Sequence, residues 1–160
     1  KFSVPLGVDV GIDPSYSMAV RSKNLGINVL LSVAESLPFK NSSFDFILIV
    51  TSVCFFDNVR LALSEACRVL EADGCIIVGF VDANSSLGRE YALKKEKSKF
   101  YRPATFYSTE NITDFLAEAG FTGFKYRQTI FENGFFSGIY KPGHGEGGFV
   151  AVKAIKPGSR

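Results

Sequence analysis

Apolar and polar residues alternate at the start of the chain and then give way to short, almost unbroken apolar runs. In "VDVGIDPSYS", Val8, Val10 and Ile12 alternate, which predicts a strand over 6–12 that stops at Asp13-Pro14. Residues 15–25 follow as a helix, and Gly26 can close it in the left-handed conformation. Residues 27–31 form a second short strand. Residues 44–50, "FDFILIV", form a third, apolar enough to be covered on both faces. Asp57 is placed to cap the next helix, where Val59, Ala62, Leu63, Ala66 and Leu70 recur at helical spacing. Asp73-Gly74 then turns the chain into a fourth apolar strand, 75–81.

The stretch from 88 to 102 is more polar. Ser108 caps a helix bearing Ile112, Phe115, Leu116 and Ala119, and Gly120 ends it. Two last β runs, 124–131 and 148–155, flank the turn "KPGHGEGG". No helix separates them, so they are expected to pair antiparallel. Strands alternating with helices imply an α/β domain with a doubly wound, mostly parallel sheet, helices on both faces and an antiparallel C-terminal strand. No repeat or linker divides residues 1–160, which read as one domain.

Composition narrows the function classes. The chain is 46% hydrophobic and 21% charged, as a globular domain is, and its net charge of +2 is too small to argue for nucleic acid or a membrane surface. No apolar run reaches transmembrane length. Cys54, Cys67 and Cys75 sit in apolar surroundings without a CxxC pair, and His144 is the single histidine. They read as buried thiols in a reducing, cytoplasmic compartment, with no metal site.

Asp13 ends the first strand, and ligands of open parallel sheets sit beyond the carboxyl ends of the strands. A carboxylate there can accept hydrogen bonds from the vicinal hydroxyls of a ribose. It can equally be a turn residue ahead of Pro14. In the first role it follows a glycine-rich loop by about 20 residues. Counting back from Asp13 passes Lys1, and the chain does not open on methionine. The loop and a central strand are therefore expected upstream, with "KFSVPLG" the tail of the helix that follows them. The edges left open on either side of that strand would allow copies of residues 1–160 to associate.

Three more segments fall in a set order: "VAESLPF" (33–39), "SFDFILI" (43–49) and "RVLEADGC" (68–75). Together with Asp13 they resemble the class I S-adenosylmethionine-dependent methyltransferases, in the small-molecule branch with the pattern "DAExLPF…SFDxV…RVLKPGG". The resemblance runs from Gly7 to about Val81 and implies a Rossmann-like fold with S-adenosylmethionine as cofactor. It implies Asp13 at the ribose, Ser17 and Met18 near the adenosyl group, Ala34 and Glu35 bordering the adenine, and Thr51 and Ser52 facing the methionyl part or the substrate. Val33 stands where many members have an aspartate for the adenine amino group, and Cys75 replaces the second glycine of the turn.

The implied reaction is methyl transfer to a small-molecule acceptor. Displacement from a sulfonium depends mainly on positioning, so a general base is needed only where the acceptor must lose a proton. Tyr91, Tyr101, Tyr107 and His144 are the titratable candidates. Phe55 and Phe56 are placed to pack on the donor cation or substrate, or simply in the core. "REYALKKEKSKFYR" (89–102) carries six basic and two acidic residues and suits a substrate lid. A solvated helix face explains its charge better than RNA does. The alternatives are a non-catalytic remnant acting as an interaction module, and an RNA methyltransferase. "KPGHGEGG" lies between strands rather than before a helix, so it reads as a flexible turn and not a phosphate cradle.

Overall fold

The longest apolar run becomes the edge of a sheet. In the computed structural model, which describes residues 7–130 and 138–158, the elements run β1 (Val10–Ile12), α1 (Tyr16–Lys23), β2 (Asn28–Leu30), β3 (Phe44–Val50), α2 (Val59–Val69), β4 (Leu70–Val81), α3 (Ser86–Lys94), α4 (Thr109–Glu118), β5 (Thr122–Thr129), β6 (Tyr140–Pro142) and β7 (Phe149–Ile155). Five strands form one sheet in the order β3-β4-β7-β5-β6, and β1 and β2 form a separate parallel pair. β3 and β4 are parallel, while β7 is antiparallel to both β4 and β5. The α/β architecture and the antiparallel pairing of the two late runs match the sequence pattern. Leu6 and Phe131, at the ends of predicted strands, lie outside the described residues.

The core lies on one face of this sheet. Ile76 and Val78 of β4 and Val150, Val152 and Ala154 of β7 are all buried, and they meet Leu63 and Ala66 of α2 and Ile112 and Leu116 of α4. Period-2 burial on the strands and the helical stripe on α2 interlock, which is how an amphipathic helix gains most of its stability. The other face carries Leu48, Val50, Ile77, Phe149 and Ala151 around an apolar depression. None of the described helices closes that depression. β3 is therefore only half-buried along most of its length, not covered on both faces as its composition suggests.

Local signals agree with the structure apart from small displacements. α2 is capped by Asn58, whose side chain accepts from the Leu61 amide at 3.1 Å, and not by Asp57. Ser108 caps α4 in a reciprocal box with Asn111. Gly120 ends it at φ +97°, a conformation open to glycine. Leu70 is both the last apolar position of the α2 stripe and the first residue of β4. It pairs with Phe44, the next pair is Phe46 with Cys75, and residues 71–74 bulge between them. β6 has no counterpart in the sequence pattern. The three cysteines are half-buried and not enclosed.

The glycine-rich segment is pinned rather than loose. Buried Gln128 accepts from the Glu146 and Gly147 amides at 2.9 and 2.8 Å and donates to the Pro142 carbonyl at 3.2 Å.

Candidate active site

β1 and β2 end side by side, with the Asp13 amide donating to the Leu30 carbonyl at 3.1 Å. One Asp13 carboxylate oxygen accepts from the Ser15 amide at 2.8 Å, so the turn role is realised. The second oxygen has no partner among the described residues. It remains available to a ligand beyond the strand ends. Ser17 shares a 3.0 Å hydroxyl contact with Ser15, and Met18 is exposed on α1.

Residues 33–36 form a tight turn in which the Ser36 amide donates to the Val33 carbonyl at 3.3 Å. This leaves the Ala34 amide unspent among the described residues. Glu35 is engaged through one oxygen, which accepts from the Asn58 amide at 3.1 Å. That bond ties the loop leaving β2 to the loop leaving β3. With that oxygen Glu35 braces the site, and its second oxygen, like that of Asp13, has no partner among the described residues.

The same loop is clamped by an ion pair at i,i+3 on α2, whose hold on the loop the sequence pattern does not show. Arg68 grips Glu65 with two hydrogen bonds, at 2.6 and 2.8 Å. Its other donors reach the Leu37 and Phe39 carbonyls and the Asn41 side chain. Glu65 also accepts from the Leu37 amide at 2.9 Å. Arg68 belongs to "RVLEADGC" and its targets to "VAESLPF" and the residues just after it, so two of the motif segments are parts of one clamp. The Arg68 guanidinium holds the Glu65 carboxyl below its ordinary pKa, aided by the Leu37 amide and opposed by burial. A depressed folded-state pKa contributes stability that is complete above the ordinary carboxylate value, about 4.3, and is lost as pH falls through the lower folded value. Acid unfolding of Glu65→Gln is accordingly expected to be less steep below that value than wild type, with lower stability at neutral pH. Denaturant midpoints measured across the acid range check this, and parallel pH curves would refute it.

Beyond β3 the chain reverses at once. Thr51 has φ +56°, and the Thr51 and Ser52 hydroxyls both donate to the Val50 carbonyl, at 2.8 and 3.0 Å. Thr51 lines a small pocket over the ends of β3 and β4 whose wall includes Cys54, Tyr91, Tyr101 and Phe106. The rings touch in a chain: Tyr91–Tyr101 at 5.2 Å, Tyr101–Phe106 at 6.0 Å and Phe55–Tyr101 stacked at 6.3 Å. Phe55 thus backs the Tyr101 ring without lining the pocket, while Phe56 packs on the core. Burial raises the Tyr101 phenol, helped by Tyr91 and Cys54, and burial pushes the Cys54 thiol up to about 11. Both stay protonated at neutral pH. His144 sits elsewhere, against Tyr126 and 3.8 Å from Glu110.

Residues 7–78 match the family described as "Methyltransferase domain". A crystal structure from Thermotoga maritima, described as a SAM-dependent methyltransferase and possible histamine N-methyltransferase, is 47% identical and superposes with a TM-score of 0.92 over 97% of this chain and 76% of its own. A protein of Methanocaldococcus jannaschii is 42% identical across 98% of this chain, which spans 77% of that relative. Against a Mycobacterium tuberculosis protein, 29% identical, the chain spans 46% of the relative. YcgJ from Bacillus subtilis, 17% identical with a TM-score of 0.67 over 94% of this chain and 82% of its own, shares the fold.

Proposed function

Because the chain belongs to the S-adenosylmethionine-dependent methyltransferases, we propose that it transfers a methyl group to a small-molecule acceptor held in the aromatic pocket over β3 and β4. S-adenosylmethionine is the family's cofactor, and when bound it supplies a methyl group activated on a sulfonium. The donor set fits it. Asp13 keeps one carboxylate oxygen free for ribose hydroxyls, and the Ala34 amide is free for the adenine edge. The observation that supports the reading is the Glu35–Asn58 bond, which ties the Ala34 turn to the loop that leaves β3.

In this reading Asp13 orients the nucleoside, Ala34 borders the base, and Met18 covers an apolar side of the adenosyl group. The Thr51 and Ser52 hydroxyls have donated their protons to Val50, so toward a ligand they offer lone pairs only. The rings of Tyr91, Tyr101 and Phe106 exclude water from the reacting end. The same reading assigns a further strand to the edges that β1 and β3 leave unpaired among the described residues, which would join the two sheets. Light scattering checks that assignment: residues 1–160 alone should self-associate through those edges, and a strictly monomeric sample would count against it.

The test is calorimetric titration of the full-length protein with S-adenosylmethionine. Asp13→Ala is expected to weaken binding by about 1–3 kcal/mol, the value of hydrogen bonds to a charged group. Asp13→Asn keeps an acceptor for the Ser15 amide and separates the turn from the charge. Unchanged affinity in both variants would make Asp13 a turn residue and nothing more.

A further inference from the structure

The net charge of +2 conceals a local concentration of cations, six basic against two acidic side chains over residues 89–102. Lys94 is paired to Glu90, and Arg89 donates to the Asn84 carbonyl. Lys95, Lys97, Lys99 and Arg102 make no ion pair or side-chain hydrogen bond among the described residues. Glu96 is the one acid of the stretch left unpaired among them. Lys95 is half-buried, and Glu96, Lys97, Lys99 and Arg102 are exposed.

The same stretch exposes apolar side chains. Gly88 and Tyr91 fix the inner face of α3, the first against the Asp82 backbone and the second in the pocket wall. At about 100° per residue, Leu93 lies on the opposite side from Tyr91. It is 83% exposed. Past the tight turn over Lys95–Lys97, Phe100 is 66% exposed although its ring is held. It makes T-shaped contacts with Phe55 and Tyr101, both at 5.0 Å. Tyr101 lines the pocket, so Phe100 stands one ring from the pocket wall. Neither Leu93 nor Phe100 belongs to the core.

A solvated helix face explains the lysines and gives no reason for two large apolar side chains among them. RNA offers phosphates to the cations and bases to a phenyl ring, but an aliphatic side chain gains nothing from either. A free anion has no apolar part. An anionic bilayer supplies both, with negative headgroups outside and acyl chains just beneath. Long Lys and Arg side chains can keep their charged ends at the headgroups while shorter apolar ones dip below.

We propose that residues 89–102 form a peripheral docking surface for an anionic lipid bilayer. Leu93 and Phe100 are the inserted anchors, and Lys95, Lys97, Lys99 and Arg102 hold the headgroups. Phe100 is already set by its two ring contacts, so little order is lost when it docks.

The test is co-sedimentation of the full-length protein with vesicles of phosphatidylcholine, alone or mixed with an equal share of phosphatidylserine. Near an anionic leaflet each unpaired cation is worth about fivefold in affinity. With Glu96 set against one of them, the charged vesicles should bind on the order of a hundredfold tighter than the neutral ones at low salt. The preference should fall steeply as salt rises. Lys97→Glu combined with Lys99→Glu should abolish it. Leu93→Ser should weaken binding to the charged vesicles by at least about fivefold. These side chains are exposed and bear no contacts in the core, so thermal melts of the variants should match wild type. Should the double variant fold poorly, Arg102→Gln alone should cost about fivefold. Equal binding to both vesicle types, no sedimentation with either, or binding indifferent to Leu93→Ser would overturn the proposal. So would a single-stranded RNA that binds more tightly than the charged vesicles and displaces them, which would assign the surface to nucleic acid.

Discussion

Gly88→Ala is expected to cost about 3 kcal/mol or more, because there is no room for a methyl group where α3 starts. A Cβ at Gly88 would lie 2.0 Å from the Asp82 carbonyl oxygen and 2.8 Å from the Ala83 Cα. Both are backbone atoms and neither can swing aside. The strand end is also held from several directions. The Asp82 amide donates to the Gly148 carbonyl at 3.1 Å, its carbonyl accepts from Ser85, and its carboxylate is tied to Thr109. Helix α3 must therefore move, and it carries Tyr91. At roughly 2–4 °C per kcal/mol for a chain of this size, the melting temperature should fall by about 6–12 °C. A variant with an unchanged melt would mean that α3 does not lie flat against the end of β4.

Gln128→Leu should be comparably damaging. The Gln128 amide holds residues 142–147 by hydrogen bonds to three backbone groups. Leucine fills similar space and satisfies none of them. A buried amide left without a partner costs about 1–3 kcal/mol, and Gly147 is buried, so the expected loss is about 2–4 kcal/mol. Gln128→Glu gives the control. It keeps the oxygen that accepts from Glu146 and Gly147, loses the donor to Pro142, and buries a charge at neutral pH. Burial favours its protonated form, so the destabilisation should shrink as pH falls through the raised pKa of the new carboxyl. Urea midpoints of the two variants at about pH 5 and about pH 8, either side of that titration, would test this. Equal losses for Gln128→Glu at both would refute it.

The elements legible in the sequence are those whose side chains alone determine their faces. The α2 stripe and the apolar run of β3 are of this kind, because helical and alternating periods report burial directly. Asn58 and Asp57 are adjacent and both good caps, so composition cannot separate them. β6 escapes because Tyr140, Lys141 and Pro142 are all exposed and the strand is held by backbone pairing to β5. The site is legible in the same uneven way. As candidates, Asp13 stands out at a strand end, while Ala34 is reached only through the family resemblance. The Arg68 clamp is legible only in part: Glu65 lies three residues before Arg68 on α2, but the other main targets are the carbonyls of Leu37 and Phe39, which any residue would supply. The bracing role of Glu35 is hidden for a related reason: its partner is a backbone amide 23 residues away. Tyr91, Tyr101 and Phe106 are dispersed rings in an aromatic-rich chain until the turns after β3 and β4 bring them together.

The position of β7 carries a consequence for how the molecule is made. It follows every other described strand in the chain, yet it lies between β4 and β5 and pairs Cys75 with Ile155 and Phe80 with Val150. β5 has no neighbour but β6 until β7 arrives. A nascent chain leaving the ribosome therefore carries two unfinished half-sheets, and the apolar side of β4 stays open until synthesis has passed residue 155. Pairings so distant along the chain close slowly, because loop-closure entropy is lost before any contact compensates it. The last strand acts as a keystone. Stalled or clipped chains lacking it should be the aggregation-prone species in the cell, while the completed chain locks its two halves together in one late step.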